Sequence, residues 1–337
     1  MKREFEITNR RDFLGTMAKT GALLGLTPMA ADAAASAGEN PFAYDLSRFE
    51  KTEPKLIAYA EVARWNCPRP ETRFIAIGPD DHLQLCAGNY LTVCNAEGKP
   101  DLEIALPETV NCAAIASDGT VFAGLRASVQ VFDGSGRKQA GWNSPDAKSW
   151  FSGMAVKGLE VFVADSGKRV VLRFLKDGTL LNRIGEKNAG KNAPGFAVPS
   201  PYLSVIVHRD GLLRVNNTGR HQVEAYSLDG EFSGAWGDFS SGIKGFCGCC
   251  NPIAITTLPD GRMVTAEKGL PRVKIYSAAG DFESVVAGVE SFPENSRACN
   301  SLNDCVHGGL GVAADSRGRI FILDFVANNV RVMQRKI

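Results

Sequence analysis

Six times along its 337 residues the chain repeats one plan: apolar strand, tight turn, second apolar strand, short loop, third strand, glycine turn. The copies fall at 74–77, 83–86 and 91–93; at 113–116, 121–123 and 129–132; and at 154–156, 161–164 and 169–172. They continue at 205–207, 212–215 and 221–226; at 253–255, 263–265 and 272–276; and at 311–313, 320–323 and 330–333. Asp118-Gly119, Asp210-Gly211 and Asp260-Gly261 occupy the first turn in three copies, and such dipeptides favour tight turns between strands. One copy is a small antiparallel sheet that cannot bury its apolar faces alone. Repeating it at this period buries them against neighbours arranged in a ring. The chain therefore reads as all-β, a six-bladed β-propeller. Its 35 glycines, about one residue in ten against a usual ~7%, suit many turns better than long helices.

The sixth copy shows no fourth strand after Met333, and residues 56–60 are expected to supply it. Closing the ring with an N-terminal strand removes exposed sheet edges. The run from Val161 to Leu172, with Ala164-Asp165, Gly167 and Arg169-Val170, resembles the NHL repeat, and the resemblance spans roughly 72–334. It implies an NHL-like six-bladed propeller over residues 55–337. In that topology the turns after first and third strands lie on a lower face. Loops after second strands and connections between blades lie on the upper face. The long connections 185–201, 237–251 and 288–309 all belong to the upper face, and long loops in a compact domain usually build a site.

Asn9-Arg10-Arg11-Asp12-Phe13-Leu14 precedes a modest apolar stretch, 17–29, and a small-residue run, 30–37, with several A-x-A choices. This resembles a twin-arginine export signal over 1–37, followed by a polar leader, 38–54, and it implies a periplasmic or exported protein. Thirty-eight basic against 37 acidic residues leave no excess charge for a phosphate backbone, so generic nucleic-acid binding is disfavoured. No apolar run of membrane-spanning length follows the N-terminus, so no membrane span is expected in the mature chain.

Of nine cysteines, seven sit in connections preceding first strands: Cys67, Cys112, Cys247, Cys249, Cys250, Cys299 and Cys305. First strands line the channel, so these seven are expected near its upper mouth, with Cys112 or one of the others completing a site around Phe246-Cys247-Gly248-Cys249-Cys250-Asn251-Pro252. Soft thiolates favour zinc, copper(I) or an iron–sulfur cluster. The same cysteines in an oxidising compartment also read as disulfides, with no cofactor. Gly-Phe-Cys-Gly-Cys-Cys-Asn-Pro further resembles a group of twin-arginine-exported NHL propellers, which implies fold and export but brings no ligand set. Cys86 and Cys94, flanking Tyr90, are core thiols or a cross-strand pair.

Of the four histidines, His82 and His208 fall near lower turns, while His307, beside Cys305, is placed at the mouth as a metal ligand, general base or loop hydrogen-bonder. Arg169, Arg220 and Arg272 recur near third strands and read first as blade-to-blade ion pairing or stacking within the repeat, and second as an anion-binding ring on the upper face. Glu267 and Lys268 line the upper pocket or pair on the surface. Three function classes follow. The first is a periplasmic electron-transfer propeller with a metal or iron–sulfur centre at the channel mouth and a redox partner at its top face. The second is a disulfide-stapled binding scaffold. The third is a lyase or hydrolase of the NHL or gluconolactonase-like type.

Overall fold

The computed structural model describes residues 47–295 and 308–337. The segment read as an export signal, Cys299, Cys305 and His307 lie outside the described residues. Within them, twenty-four strands form six four-stranded antiparallel sheets. Blade one is Thr72–Ile77, Leu83–Ala87, Tyr90–Cys94 and Pro100–Ala105. Blades two to five begin with inner strands Cys112–Ile115, Phe151–Lys157, Val205–Val207 and Ala254–Thr257. Blade six is Leu310–Ala314, Ile320–Asp324 and Asn329–Arg335. Adjacent inner strands pack on one another around a ring, so blades two and five face each other across the channel.

The ring closes through an N-terminal strand, as expected, but a later one. Tyr59–Asn66 pairs antiparallel with Asn329–Arg335 as the fourth strand of blade six. Residues 57 and 58 instead attach to blade five: Ile57 bridges Val285, and the Ala58 N–H donates to the Val285 carbonyl. The physical reason is burial. An outermost strand needs little apolar surface, and Tyr59–Asn66 is mostly exposed, whereas Ala58 packs into the core shared by blades five and six.

Tryptophans on outer strands seal three of the seams. Trp65, Trp142 and Trp236 lie against Gly98, Gly178 and Gly280, each in the turn before the next blade's outer strand. Gly280 has φ +97°, and a Cβ there would overlap the Trp236 indole. Gly280→Ala is therefore expected to destabilise the fold by about 2 kcal/mol, combining left-handed backbone strain with displacement of a packed ring. A change in urea midpoint of the size seen for an exposed turn substitution would contradict this.

Candidate functional site

The six inner strands enclose a cavity of about 360 Å³. Each pairs with only one neighbour, so its unpaired backbone edge faces the channel while its side chains alternate between the two faces of its blade. The wall is mainly aliphatic, including Ile75, Ile115, Met154, Val205, Ile255 and Val312. At the upper rim, Arg73 lies over the Phe325 ring, 5.7 Å from its centre, and donates to the Phe325 carbonyl at 3.4 Å. Tyr202 stands beside it under the Lys268 ammonium, which is 4.7 Å from the phenol ring.

The cysteine-bearing connection between blades four and five folds first on itself. Phe239 bridges Phe246, the Ser240 N–H donates to Phe246 O, and the Phe246 N–H donates to Asp238 O. This closed turn sits on a fully buried group of charges from blade five: Glu267, Arg272 and Lys274. Arg272 Nη2 and Lys274 Nζ each stand 2.8 Å from a Glu267 carboxylate oxygen. Two cations against one anion leave one positive charge in excess. Loop carbonyls take it up. Lys274 donates to Gly245 at 2.6 Å and to Ile243 at 3.2 Å, and Arg272 donates to Ser241 at 3.0 Å. The Tyr276 hydroxyl donates to Lys244, and the Lys274 ammonium also lies 4.5 Å from the centre of the Phe246 ring.

Burial pulls the Lys274 ammonium down to about 8, and the Glu267 carboxylate keeps it from falling further. Burial works against the Arg272 guanidinium too, but Glu267 more than offsets it and leaves that group above its ordinary value. Buried ion pairs gain little net stability over apolar packing, while loss of one partner is strongly destabilising. The group therefore fixes where the loop sits.

The result is a held row of thiols. The Cys247 N–H donates to Glu267 at 3.3 Å, and its sulfur lies 3.4 Å from the Ser241 hydroxyl. Asn251 donates to the Cys247 and Lys268 carbonyls and accepts from the Lys268 N–H at 2.9 Å. Gly248, at φ +82°, turns the chain between Cys247 and Cys249. Cys249 is exposed, Cys250 is buried, and their sulfurs are 3.4 Å apart.

Cys67 and Cys112 are not brought to this row. Cys112 is buried in the core between blades two and three, across the ring from blade five. Cys67 packs with residues of blades six and one. Their place in connections before first strands suggested the mouth, but their side chains turn into the seams. Among the described residues, no three His, Cys, Asp or Glu side chains form a group able to hold a metal ion. Cys86 and Cys94 are core thiols and not a cross-strand pair: Cys86 stands opposite Leu91 and Cys94 opposite Leu83. Three register steps apart, they point to opposite faces of the sheet.

His221 is the residue that sequence reasoning missed. It follows the second strand of blade four, and its Nε2 is 2.6 Å from the Gly248 carbonyl, with its ring against Phe239. The signal was available, since loops after second strands share the upper face with the cysteine connection. His208 is at the lower face as expected, 2.9 Å from Gly261 O and 3.0 Å from Asp210. Lys268 is buried and stacked on Tyr202, not paired on the surface with Glu267.

The ion-pair reading of the recurrent arginines holds for two of the three. In blade four, buried Glu224 accepts from Arg220 at 3.2 Å and Asn217 at 2.7 Å, which in turn bind Pro194 O and the Ala197 N–H in the preceding long connection. In blade six, Asp324 accepts from Asn295 at 2.5 Å, and Asn295 accepts from the Gly309 N–H at 2.7 Å. Arg169 is exposed. Glu224 on the third strand of blade four and Asp324 at the end of the second strand of blade six thus pin the upper loops.

Burial pushes the Cys67 thiol up to about 11 and the Cys94 thiol to about 12, and it raises Cys86 and Cys112 as well. The folded state holds these protons above pH 9, where unfolded thiols ionise. Stability present below about 9 should fall by about 1.4 kcal/mol per thiol per pH unit as pH rises toward 11. Lys274, depressed in the fold, acts in the opposite sense above about 8 but is outnumbered. Urea unfolding at pH 8 and 10.5 checks the sign: lower stability at 10.5 is expected, and a rise would contradict the burial of these thiols.

No family model and no curated protein matches the chain. Solved structures do. A streptogramin B lyase aligns over 82% of this chain and 98% of its own, at 12% identity and TM-score 0.55. Virginiamycin B lyase from Staphylococcus aureus aligns over 83% and 100%, at 14% identity and TM-score 0.55. A catalytically inactive histidine-to-alanine variant of that enzyme with quinupristin aligns over 83% of this chain at the same TM-score of 0.55. At these identities the likeness is one of fold, and it is to propeller proteins.

Proposed function

We propose that this is an exported propeller whose working groups are the thiols of the 247–250 loop, serving as a soft-metal or iron–sulfur centre in electron transfer on the upper face. The observation that carries the reading is the 3.4 Å approach of the Cys249 and Cys250 sulfurs on a loop held by buried charge. Soft thiolates suit zinc, copper(I) or iron–sulfur ligation. A cluster would supply one-electron chemistry; the chain's part is to hold the sulfurs and limit water.

Further donors come from Cys299, Cys305 and His307 in this proposal. The segment carrying them leaves the described chain at Asn295 and rejoins it at Gly308, whose carbonyl accepts from Tyr202 at 3.4 Å. Tyr202 touches Lys268, and Lys268 is bonded to Asn251 beside the cysteines. Cys67 and Cys112, as buried neutral thiols, do not fit the ligand role. Phe239, 66% exposed beside His221, offers a redox partner an apolar contact at the rim. The twin-arginine leader supports the compartment, since that route carries folded proteins.

The test is metal protection. Reduced protein titrated anaerobically with Zn²⁺ should lose N-ethylmaleimide labelling at Cys247, Cys249 and Cys250 together, as mapped by mass spectrometry. Unchanged labelling of all three would contradict the reading. The same sulfur contact also favours a second reading, a disulfide-stapled scaffold, for which purified protein would show these cysteines oxidised before any metal is added.

A further inference from the structure

The inner strand of blade one carries a bulge at its upper end. Thr72 stands opposite Ala87 and Phe74 opposite Cys86, so Arg73 between them is the extra residue of the bulge. A bulge breaks the alternation of a strand and re-aims a side chain. Here it delivers Arg73, which is exposed, to the wall of the central cavity. The Phe325 ring and carbonyl hold the guanidinium at the rim. Both contacts are uncharged, so neither cancels its charge. Among the described residues that line the cavity, Arg73 is the only charged one. The acid next in the chain to Phe325, Asp324, is buried and accepts from Asn295 and from the Val326 and Ala327 N–H groups. Below the rim the wall is aliphatic. Ile115, Ala155, Ile206 and Ala254, from blades two to five, are only partly buried, so a molecule in the channel can touch them. The cavity of about 360 Å³ falls within the usual range for small-molecule sites.

We infer that the channel binds a compact apolar monocarboxylate from its upper side, the hydrocarbon body against the aliphatic wall and the carboxylate on the Arg73 guanidinium. A planar carboxylate matches the guanidinium fork. A neutral molecule leaves the rim charge unanswered, and a dianion brings a second charge to a wall that holds one cation. The inference goes beyond the thiol reading and is independent of it, since Arg73 lies in blade one and the cysteine loop enters blade five.

Three probes separate the contributions, each titrated into the full protein with ligand-observed NMR. Benzoate carries both parts, benzamide lacks the charge, and acetate lacks the apolar body. Benzoate should bind about tenfold more tightly than either, the worth of a charge-assisted hydrogen bond in one comparison and of a buried ring in the other. Arg73→Gln should bring benzoate down to the level of benzamide and leave benzamide unchanged. Arg73→Lys keeps the charge without the planar fork and should retain part of the preference, so the result does not hang on one variant. Benzoate binding no tighter than benzamide in the unaltered protein would overturn the inference. So would acetate binding as tightly as benzoate, which would leave a rim charge and no channel site. Undiminished benzoate binding by Arg73→Gln would also overturn it and move recognition to Lys268 beside Tyr202.

Discussion

Replacing Glu267 by glutamine is expected to lower the stability of the propeller by about 3–5 kcal/mol, the cost of leaving buried charge without its partner. The carboxylate is the only acid that Arg272 and Lys274 contact within 4 Å among the described residues. Glutamine has nearly the same shape but no charge, so both guanidinium and ammonium stay buried against carbonyl dipoles alone. The same change leaves one acceptor oxygen for the positions that two carboxylate oxygens now share among Arg272, Lys274 and the Cys247 N–H. Labelling of Cys247 and Cys250 by a small maleimide should therefore speed up along with the loss of stability. Lys274→Met in the Glu267→Gln background should recover part of the loss by removing one of the two orphaned cations. Urea unfolding of the two variants beside the unaltered protein measures this. A loss under about 1 kcal/mol for Glu267→Gln would mean the group is more hydrated than its burial implies.

Changing Cys249 and Cys250 together to serine is expected to abolish bound metal and leave the β-sheet fold intact. Serine keeps the size and loses the soft donor, so the proposed thiolate centre would lose two adjacent ligands at once. Metal content should drop by about tenfold or more, since structural thiolate sites depend steeply on each ligand. Cys86→Ser serves as the control: its thiol is buried far along blade one, so metal content should not change while stability falls. Equal metal in the double variant and the unaltered protein would remove these two cysteines from the ligand set.

The ring was legible because strand alternation and glycine turns are local signals that recur. Its closure was legible as a need, the missing fourth strand after Met333. The position of the closing strand was not, because an outermost strand such as Tyr59–Asn66 carries little apolar pattern. The upper-face cysteine loop was placed by the repeat, since it lies in a connection that precedes a first strand. What the sequence hid was side-chain direction. Cys112 and Cys67 lie near channel-lining strands but turn into blade seams, and one residue of register decides that. Cys86 and Cys94 look symmetric about Tyr90 but pair with Leu91 and Leu83. Arg220 and Arg272 were readable as ion pairs because they recur. That Glu224 and Glu267 hold whole loops through them was not, since their partners are carbonyls in loops of irregular length. His221 opens a third-strand copy of the repeat and carries no chemical motif of its own, and only the packing of neighbouring connections sets it against the Gly248 carbonyl.

The account turns on the loop of Cys247, Cys249 and Cys250 being a thiolate centre. Elemental analysis of the protein, purified without oxygen and read beside its visible absorption spectrum, tests this most directly. Near-stoichiometric iron with sulfide, or zinc or copper, is the result expected. A colourless, metal-free protein with these thiols already oxidised would contradict it and leave the loop as a disulfide-fixed rim.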